Sequence, residues 1–152
     1  MIRRVIESPV GFLGLYAEDG KIVAVTLSEK GPSGGRGKIL DQAEEELGLY
    51  FQRKLECFTV PWRLDMPGFE GDCLRALSHV PYGETVSYGL LAAMAGSPRG
   101  ARAAGNAVHK NPLPVLIPCH RVILGNGRLG GFGGDIAVKK KLLELEGVKV
   151  KE

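Results

Sequence analysis

The sequence predicts an α+β protein in two parts: a small α+β amino-terminal domain over residues 1–62 and a mainly helical domain with a helix-turn-helix over residues 69–152. Short apolar runs separated by turn residues fill the first third, which is typical of antiparallel strands. Apolar residues at helical spacing, interrupted by glycine and proline, fill most of the second half. Residues 63–68 lie between the two patterns and contain a Pro-Gly pair, so they are predicted to be a linker.

Three strands, one helix and a last short strand are predicted in the amino-terminal part. The predicted strands lie over residues 2–7, 12–17 and 21–27. An Asp-Gly pair at 19–20 is a hairpin turn signal between the last two strands. A helix over about 40–55 buries one apolar face, and a last short strand is predicted over 57–60.

Helices dominate the carboxy-terminal part. They are predicted over about 69–80, 87–95, 98–110 and 136–146. The second and third are separated by a tight turn that contains glycine, which is the helix-turn-helix pattern. Ser97 is predicted to cap the third helix, with Pro98 at its first position. The apolar run 115–117 reads as a strand that leads to Cys119.

The net charge of +3 is concentrated in the second half of the chain. Residues 1–65 carry nine basic and ten acidic side chains, whereas residues 66–152 carry eleven and seven. Between Thr85 and Gly134 there is no acidic residue, although five Lys and Arg residues lie there. Such a window indicates either a glycine-rich buried core or a surface that faces a polyanion.

Composition argues against several classes of protein. No apolar run approaches the ~20 residues that a membrane span needs, and the amino terminus lacks the pattern of a signal peptide. The three cysteines are odd in number and have no zinc-ligand spacing, which argues against a disulfide framework and a classical zinc site. We therefore expect a cytoplasmic, nucleoid-associated protein with no membrane partner, no metal and no other cofactor.

The second helix of the helix-turn-helix consists mostly of Ala and Gly over residues 99–107. A helix that reads the major groove carries Arg, Asn, Gln or Lys side chains toward the base edges. The simpler explanation of this composition is a tightly packed core helix. Together with the acid-free window, it also fits a helix pressed against a DNA backbone or a shallow minor groove, with little base specificity.

Cys119 lies between Pro118 and His120, before a glycine-rich loop. A nucleophilic cysteine needs a base or a positive field to form its thiolate. His120 could be that base, through a bridging water because adjacent side chains rarely bond directly, and Arg121 could add positive field. A Cys-His pair alone is weak evidence, since most buried cysteines are inert.

The longer string around Cys119 is far more specific. IPCHRVI at 117–123, preceded by NPLPVL and followed by GNGRLGGFGG and LLELEG, resembles the O6-alkylguanine-DNA alkyltransferases, which are single-turnover, direct-reversal repair proteins. The resemblance covers nearly all of residues 66–152 and is weaker over 1–65. It implies an RNase H-like amino-terminal domain and a winged-helix-like carboxy-terminal domain. It also implies a monomer that binds double-stranded DNA containing O6-alkylguanine through the minor groove, with little sequence specificity.

The resemblance implies catalytic roles for five residues. Cys119 matches the cysteine that irreversibly accepts the alkyl group, and His120 matches the histidine that takes the thiol proton through a water. Glu146 matches the carboxylate that orients that histidine. Asn111 matches the hinge asparagine between the helix-turn-helix and the active-site loop. Tyr88 matches the tyrosine that helps to turn the nucleotide out and donates a hydrogen bond to the departing guanine.

The resemblance also implies DNA contacts around the second helix of the helix-turn-helix. An alkyl group on O6 cannot be reached in line inside the base stack, so the base must be flipped out. Arg102 matches the arginine finger that fills the resulting gap. The other expected DNA-contact residues are Tyr88, Ser97, Arg99, Ala101 and Arg121.

A guanine pocket is implied next to Cys119. Its expected walls are Pro114, Val122, Gly130, Gly131, Phe132 and Gly133. The backbone carbonyls of Cys119 and Val122 would accept hydrogen bonds from the exocyclic amine of guanine. Phe132 and Gly133 stand where many family members have Tyr and Ser, so two side-chain hydroxyls are missing, which bears on the alkyl groups that fit.

Three other functions stay open at this point. A non-catalytic relative that flips and flags alkylguanine would lack the acceptor cysteine, so Cys119 argues against it. A helix-turn-helix transcription regulator would bind a specific sequence, which an Ala/Gly-rich helix does not support. A thiol hydrolase would turn over ester or peptide substrates.

Overall fold

The computed structural model describes residues 1–27, 34–130 and 136–150, and the chain divides into two units, Met1–Leu64 and Asp65–Glu152. In the part of the chain that the structure describes, the first unit is a sheet with one helix and the second is mainly helical, so the predicted α+β class is confirmed. No helix among the described residues is long and apolar enough to cross a bilayer.

The first unit is built on a three-stranded antiparallel sheet of order β1-β2-β3. The strands are β1 (Ile2–Ile6), β2 (Leu13–Glu18) and β3 (Lys21–Leu27), which confirms the three predicted strands to within one residue. Asp19 and Gly20 both have positive φ, 52° and 73°. That geometry matches a two-residue hairpin turn whose twist suits the flanking strands.

Helix α1 (Lys38–Phe51) packs on this sheet through four buried side chains, Leu40, Ala43, Leu47 and Tyr50. It ends four residues before the predicted end, because Arg53 adopts a left-handed φ of 61° and the Lys54 N–H donates to the Leu49 carbonyl at 2.8 Å. The predicted strand over 57–60 is wrong. The N–H groups of Thr59 and Val60, which a strand would use for pairing, donate instead to the Glu46 carboxylate at 2.7 and 3.0 Å.

The described residues of the second unit form four helices and a two-stranded parallel sheet. The elements are α2 (Gly68–Leu77), β4 (Val86–Ser87), α3 (Tyr88–Met94), α4 (Ala101–His109), β5 (Val122–Ile123) and α5 (Ile136–Leu145). Helices α2, α3 and α4 pack on one another through buried apolar side chains, and α3 and α4 form the predicted helix-turn-helix. A 3₁₀ turn, Cys119–Arg121, leads directly into β5 and contacts α5.

The predicted cap of the second helix of the helix-turn-helix is wrong. The Ser97 N–H donates to the Ala92 carbonyl, and the Ser97 carbonyl accepts from the Gly100 N–H at 3.0 Å, so residues 97–100 form a turn and α4 begins at Ala101. Gly100 suits this turn because a Cβ there would lie 2.8 Å from the Phe69 ring. The serine that does cap a helix is Ser87, whose Oγ accepts from the Leu90 N–H at the start of α3.

The apolar run 115–117 does not form the expected strand. Val115 has a left-handed φ of 73°, which is rare for a β-branched residue. The Ile117 N–H donates back to the Leu113 carbonyl at 2.7 Å, and Pro114 and Ile117 form an isolated bridge. The segment therefore bends back on itself, and Cys119 follows this bend directly.

Candidate active site

Cys119 is buried at the first position of the 3₁₀ turn. Its backbone N–H donates to the Ile117 carbonyl at 2.8 Å, and the Arg121 N–H donates to the Pro118 carbonyl at 2.9 Å. The pairing of β5 with β4 holds the other end of the turn. The backbone that carries the thiol is therefore held on both sides.

Glu146 follows α5 directly, and its carboxylate is buried beneath several donors. Its Oε2 contacts His120 Nε2 at 2.6 Å and accepts from Arg121 Nη2 at 2.9 Å. Its Oε1 accepts from Arg121 Nε at 2.8 Å and from the Gly83 N–H at 3.1 Å. Hydrogen bonding and the guanidinium charge together favour the ionised carboxylate at this buried position.

The structure overturns the prediction that Arg121 contacts DNA. Its side chain is buried, and its Nε and Nη2 both donate to the Glu146 carboxylate. Its Nη1 donates to the Val80 carbonyl at 2.6 Å. The guanidinium also lies 5.8 Å from the centre of the Tyr82 ring. A charge buried in the core needs a partner. Arg121 therefore neutralises Glu146 and is not available to a phosphate.

His120 is fully buried next to that ion pair. Burial is the main cause that lowers the pKa of His120, against the opposing effect of Glu146, so the ring is neutral at rest. A neutral ring beside a carboxylate carries its proton on the nitrogen that faces it, here Nε2. Nδ1 then has a lone pair, and it has no hydrogen-bond partner among the described residues.

The Cys119 thiol is protonated at rest. Burial raises its pKa to about 11, and this is the largest effect on the group. A hydrogen bond with Asn111, the charge of Lys139 and the backbone N–H groups of Cys119 and His120 all act in the opposite direction. The site thus holds a neutral thiol beside groups that favour the thiolate.

Asn111 joins the end of the helix-turn-helix to the segment that carries the thiol. It lies two residues after α4. Its Nδ2 donates to the Ile117 carbonyl at 2.9 Å, and its Oδ1 accepts from the Leu113 N–H at 3.0 Å. These two bonds hold the bend around Val115, and a further hydrogen bond between Asn111 and the Cys119 thiol lowers the pKa of that thiol.

Lys139 is a site residue that sequence reasoning missed. It is fully buried in α5, and its Nζ donates to the carbonyls of Val122 and Leu129, each at 2.6 Å. Burial lowers its pKa to about 8, and the charge of Cys119 opposes that shift. A signal was available in the sequence, because Lys139 precedes Leu142 and Leu143 by three and four residues and so shares their buried face.

Tyr88 lies between α4 and the loop after β5. A Cβ added to Gly105 would lie 3.8 Å from the Tyr88 ring, and one added to Gly130 would lie 3.3 Å from the Tyr88 hydroxyl. Tyr88 and the predicted pocket residue Gly130 are thus brought together. Pro114 and Val122, which lie on either side of Cys119 in the chain, are both buried. The remaining predicted pocket residues, Gly131, Phe132 and Gly133, lie outside the described residues.

The acid-free window turns out to be partly core and partly surface. Two of its basic side chains have acidic partners, Arg121 with Glu146 and Lys110 with Glu70 at 3.2 Å. Three others are exposed: Arg99, Arg102 and Arg128. Arg99 and Arg102 flank the start of α4, where exposed Ala101 and half-buried Ser97 also lie. These four are the predicted DNA-contact residues that remain available at the surface beside Tyr88.

The described residues contain no group of three or more His, Cys, Asp or Glu side chains that could hold a metal ion.

Comparisons with known proteins connect this geometry to one family. The sequence model described as "6-O-methylguanine DNA methyltransferase, DNA binding domain" matches residues 68–148. A methylated-DNA–protein-cysteine methyltransferase of Mycolicibacterium paratuberculosis is 37% identical over 149 residues, which cover 94% of this chain and 90% of that protein. The human protein of the same name is 36% identical over 168 residues, covering 97% of this chain and 81% of its own length.

The solved structures give the same result for the fold. A crystal structure of Mycobacterium tuberculosis OGT in complex with DNA superposes with a TM-score of 0.88 at 38% sequence identity. The match covers 95% of this chain and 91% of that one. Both units of the present chain thus have counterparts in that structure.

Arg121→Leu should destabilise the second unit by about 3–5 kcal/mol, because it leaves the Glu146 carboxylate buried without its counter-charge. Urea unfolding measures the effect. Arg128→Leu removes an exposed arginine and is the matched control, with an expected change within about 0.5 kcal/mol. If Arg121→Leu does not fold, Arg121→Lys, which keeps the charge but loses the two-pronged contact, should show an intermediate loss. Equal midpoints for the two leucine variants would contradict the buried role.

Proposed function

The chain belongs to the O6-methylguanine DNA methyltransferase family, and we propose from this premise that Cys119 is the residue that accepts the alkyl group. The protein is a methylated-DNA–protein-cysteine methyltransferase, which repairs DNA by direct reversal. One observation supports this assignment of residues. Cys119 and His120 are buried in the same 3₁₀ turn, and His120 contacts the buried carboxylate of Glu146. Each molecule acts once, because the product is a stable thioether on the protein itself.

The reaction is a displacement at the alkyl carbon. The Cys119 sulfur attacks that carbon, an S–C bond forms, and the bond between the carbon and guanine O6 breaks. The electron pair of the broken bond goes to the guanine, which then takes up a proton. The thiol proton passes to His120 Nδ1, directly or through a bridging water, while the Nε2–H group continues to donate its hydrogen bond to Glu146.

The charges around the sulfur support this proton transfer. When Cys119 loses its proton to His120, a thiolate and an imidazolium are formed in a buried site. Glu146 stabilises the imidazolium through the 2.6 Å contact. Lys139 and the Asn111 hydrogen bond stabilise the thiolate, since both lower the pKa of Cys119. Because burial disfavours either charge alone, the proton moves from Cys119 to its neighbour His120, so that each charge forms beside a compensating one.

The helix-turn-helix supplies the DNA-binding face in this proposal. Arg99 and Arg102 are exposed at the start of α4, where they can meet phosphates and the gap left by a flipped nucleotide. Tyr88 lies between α4 and Gly130, on the route from that face to the loop after β5. A base that leaves the stack here would pass Tyr88 on its way to Cys119.

The alternatives fit less well. A lesion-binding relative that does not react has no use for a cysteine coupled to His120 and Glu146. A sequence-specific regulator needs base-reading side chains along α4, and most of its residues are Ala or Gly.

We further propose that the protein acts as a monomer in the cytoplasm, associated with the nucleoid, because its substrate is chromosomal DNA and the described site lies within one unit.

Transfer to Cys119 can be followed directly with duplex DNA that carries isotopically labelled O6-methylguanine. We expect one label per protein molecule, mapped to the peptide that contains Cys119. Cys119→Ala should take up none, while Cys57→Ala, which removes an exposed thiol, should take up as much as the wild type. Label that remains on the DNA, or that is released over many turnovers, would overturn the proposal.

The pH profile of the reaction should be a plateau that ends where His120 gains a proton on the acid side and where Lys139 loses one on the alkaline side. Burial lowers the pKa of His120 from its ordinary 6.5 and raises that of Cys119 to about 11, so the thiol with neutral imidazole persists between the two. With free O6-benzylguanine, the rate constant should stay within about twofold between pH 6.5 and 7.5 and fall below pH 6.5 as His120 takes up a proton. It should fall again above pH 8, because burial lowers the pKa of Lys139 to about 8 and the neutral amine no longer stabilises the thiolate. Circular dichroism at each pH controls for unfolding. A tenfold rise per pH unit between 7 and 9 would show instead that a free thiolate is the reactive form.

Arg102→Ala should slow repair of duplex DNA by about tenfold or more, because flipping loses the side chain that fills the gap. Reaction with free O6-benzylguanine needs no flipping and should change much less. Arg36→Ala removes an exposed arginine of the first unit and is the control for charge. Equal losses on the duplex and the free base would refute the finger assignment.

A further inference from the structure

Helix α4 presents a narrow polar stripe on an otherwise small-residue surface. Its buried side is formed by Ala104, Ala107 and Val108. On the opposite side, Arg102, Asn106 and His109 are exposed at positions i, i+4 and i+7, and so line up along one face. Most other residues of α4 are alanine or glycine, which offer methyl groups and hydrogens but no hydrogen-bonding side chain.

Asn106 is the uncharged amide in the middle of this stripe. Its side chain makes no hydrogen bond with any residue that the structure describes. It lies one helical turn, or about 6 Å, beyond Arg102 along α4. Since base pairs are stacked about 3.4 Å apart, that distance corresponds to about two base-pair steps.

We propose that Asn106 reads a guanine in the minor groove about two base-pair steps from the lesion, and thereby makes repair depend on the neighbouring sequence. The inference rests on the proposed function, in which Arg102 enters the duplex at the flipped nucleotide. It adds a specificity-determining residue to a surface whose composition predicts little base discrimination.

The chemistry of the groove favours guanine. In the minor groove A·T pairs present acceptors only, whereas a G·C pair adds the donor N2–H₂ of guanine. A carboxamide has both a carbonyl acceptor and an NH₂ donor. Asn106 can therefore accept from guanine N2 while donating to guanine N3, a pair of bonds that adenine cannot provide. A phosphate would use only the donor half of the amide and would be read equally in every sequence.

Inosine isolates the group that Asn106 is proposed to recognise, because an inosine·C pair lacks only the minor-groove amine of G·C. Duplexes with one O6-methylguanine would carry G·C or inosine·C at each of the second and third positions on either side. Single-turnover repair rates are compared as the ratio of G·C to inosine·C. At one of these positions we expect the wild type to repair the G·C duplex about fivefold faster.

Asn106→Ala should bring that ratio to about one, as expected when the hydrogen-bonding group is lost. His109→Ala removes another exposed side chain of the same stripe and should keep the wild-type ratio. A wild-type ratio within twofold of one at every position would overturn the inference. An Asn106→Ala variant that keeps the wild-type ratio would also overturn it. If that variant loses rate equally in all duplexes, Asn106 contacts a phosphate and not a base. Alkylation of wild-type Cys119 by free O6-benzylguanine tests the proposed function separately, because no groove is involved.

Discussion

The carboxylate of Glu146 is the group on which the active site depends. It is buried, and it takes hydrogen bonds from the 3₁₀ turn through His120 and Arg121 and from the turn after α2 through Gly83. Arg121 extends the same network to the Val80 carbonyl. A buried negative charge is tolerated only with such partners. The carboxylate therefore holds together the end of α5, the turn that carries Cys119 and the segment beyond α2.

Burial of that network also sets the chemistry of the thiol. The exclusion of water that makes the contacts of Glu146 strong raises the pKa of Cys119 and lowers that of His120. Both groups are neutral at rest, and charge develops only as the proton moves. A protonated, buried thiol is a poor target for oxidants. This protection matters for a protein that uses its cysteine once, and Lys139 and Asn111 supply the opposing stabilisation that keeps the thiolate accessible.

Elements with a strong local pattern were predictable, and elements shaped by distant contacts were not. The hairpin at 19–20 and the strand at 21–27 follow from turn residues and apolar spacing alone, and the structure confirms them. The strand expected at 57–60 does not form, because the N–H groups of Thr59 and Val60 donate to the Glu46 carboxylate. Ser97 has the right residue type for a cap, yet its backbone completes the end of α3 and a turn instead. Propensity describes what a segment can do, and the packed neighbours select among those options.

The residues of the candidate site divide along the same line. The sequence by itself predicted the helix-turn-helix, which the structure contains, and proposed Cys119 as the nucleophile with His120 as its base, because these depend on residues close together in the chain and on a long, specific string. Only the tertiary structure decided which charges are buried. Arg121 and Glu146 are 25 residues apart, and Lys139 is 17 residues from the carbonyl of Val122 that it contacts. Because Arg121 lies in an acid-free stretch, its sequence context suggested a DNA contact. Its burial and its pairing with Glu146 depend on contacts between distant parts of the chain, which only the fold shows.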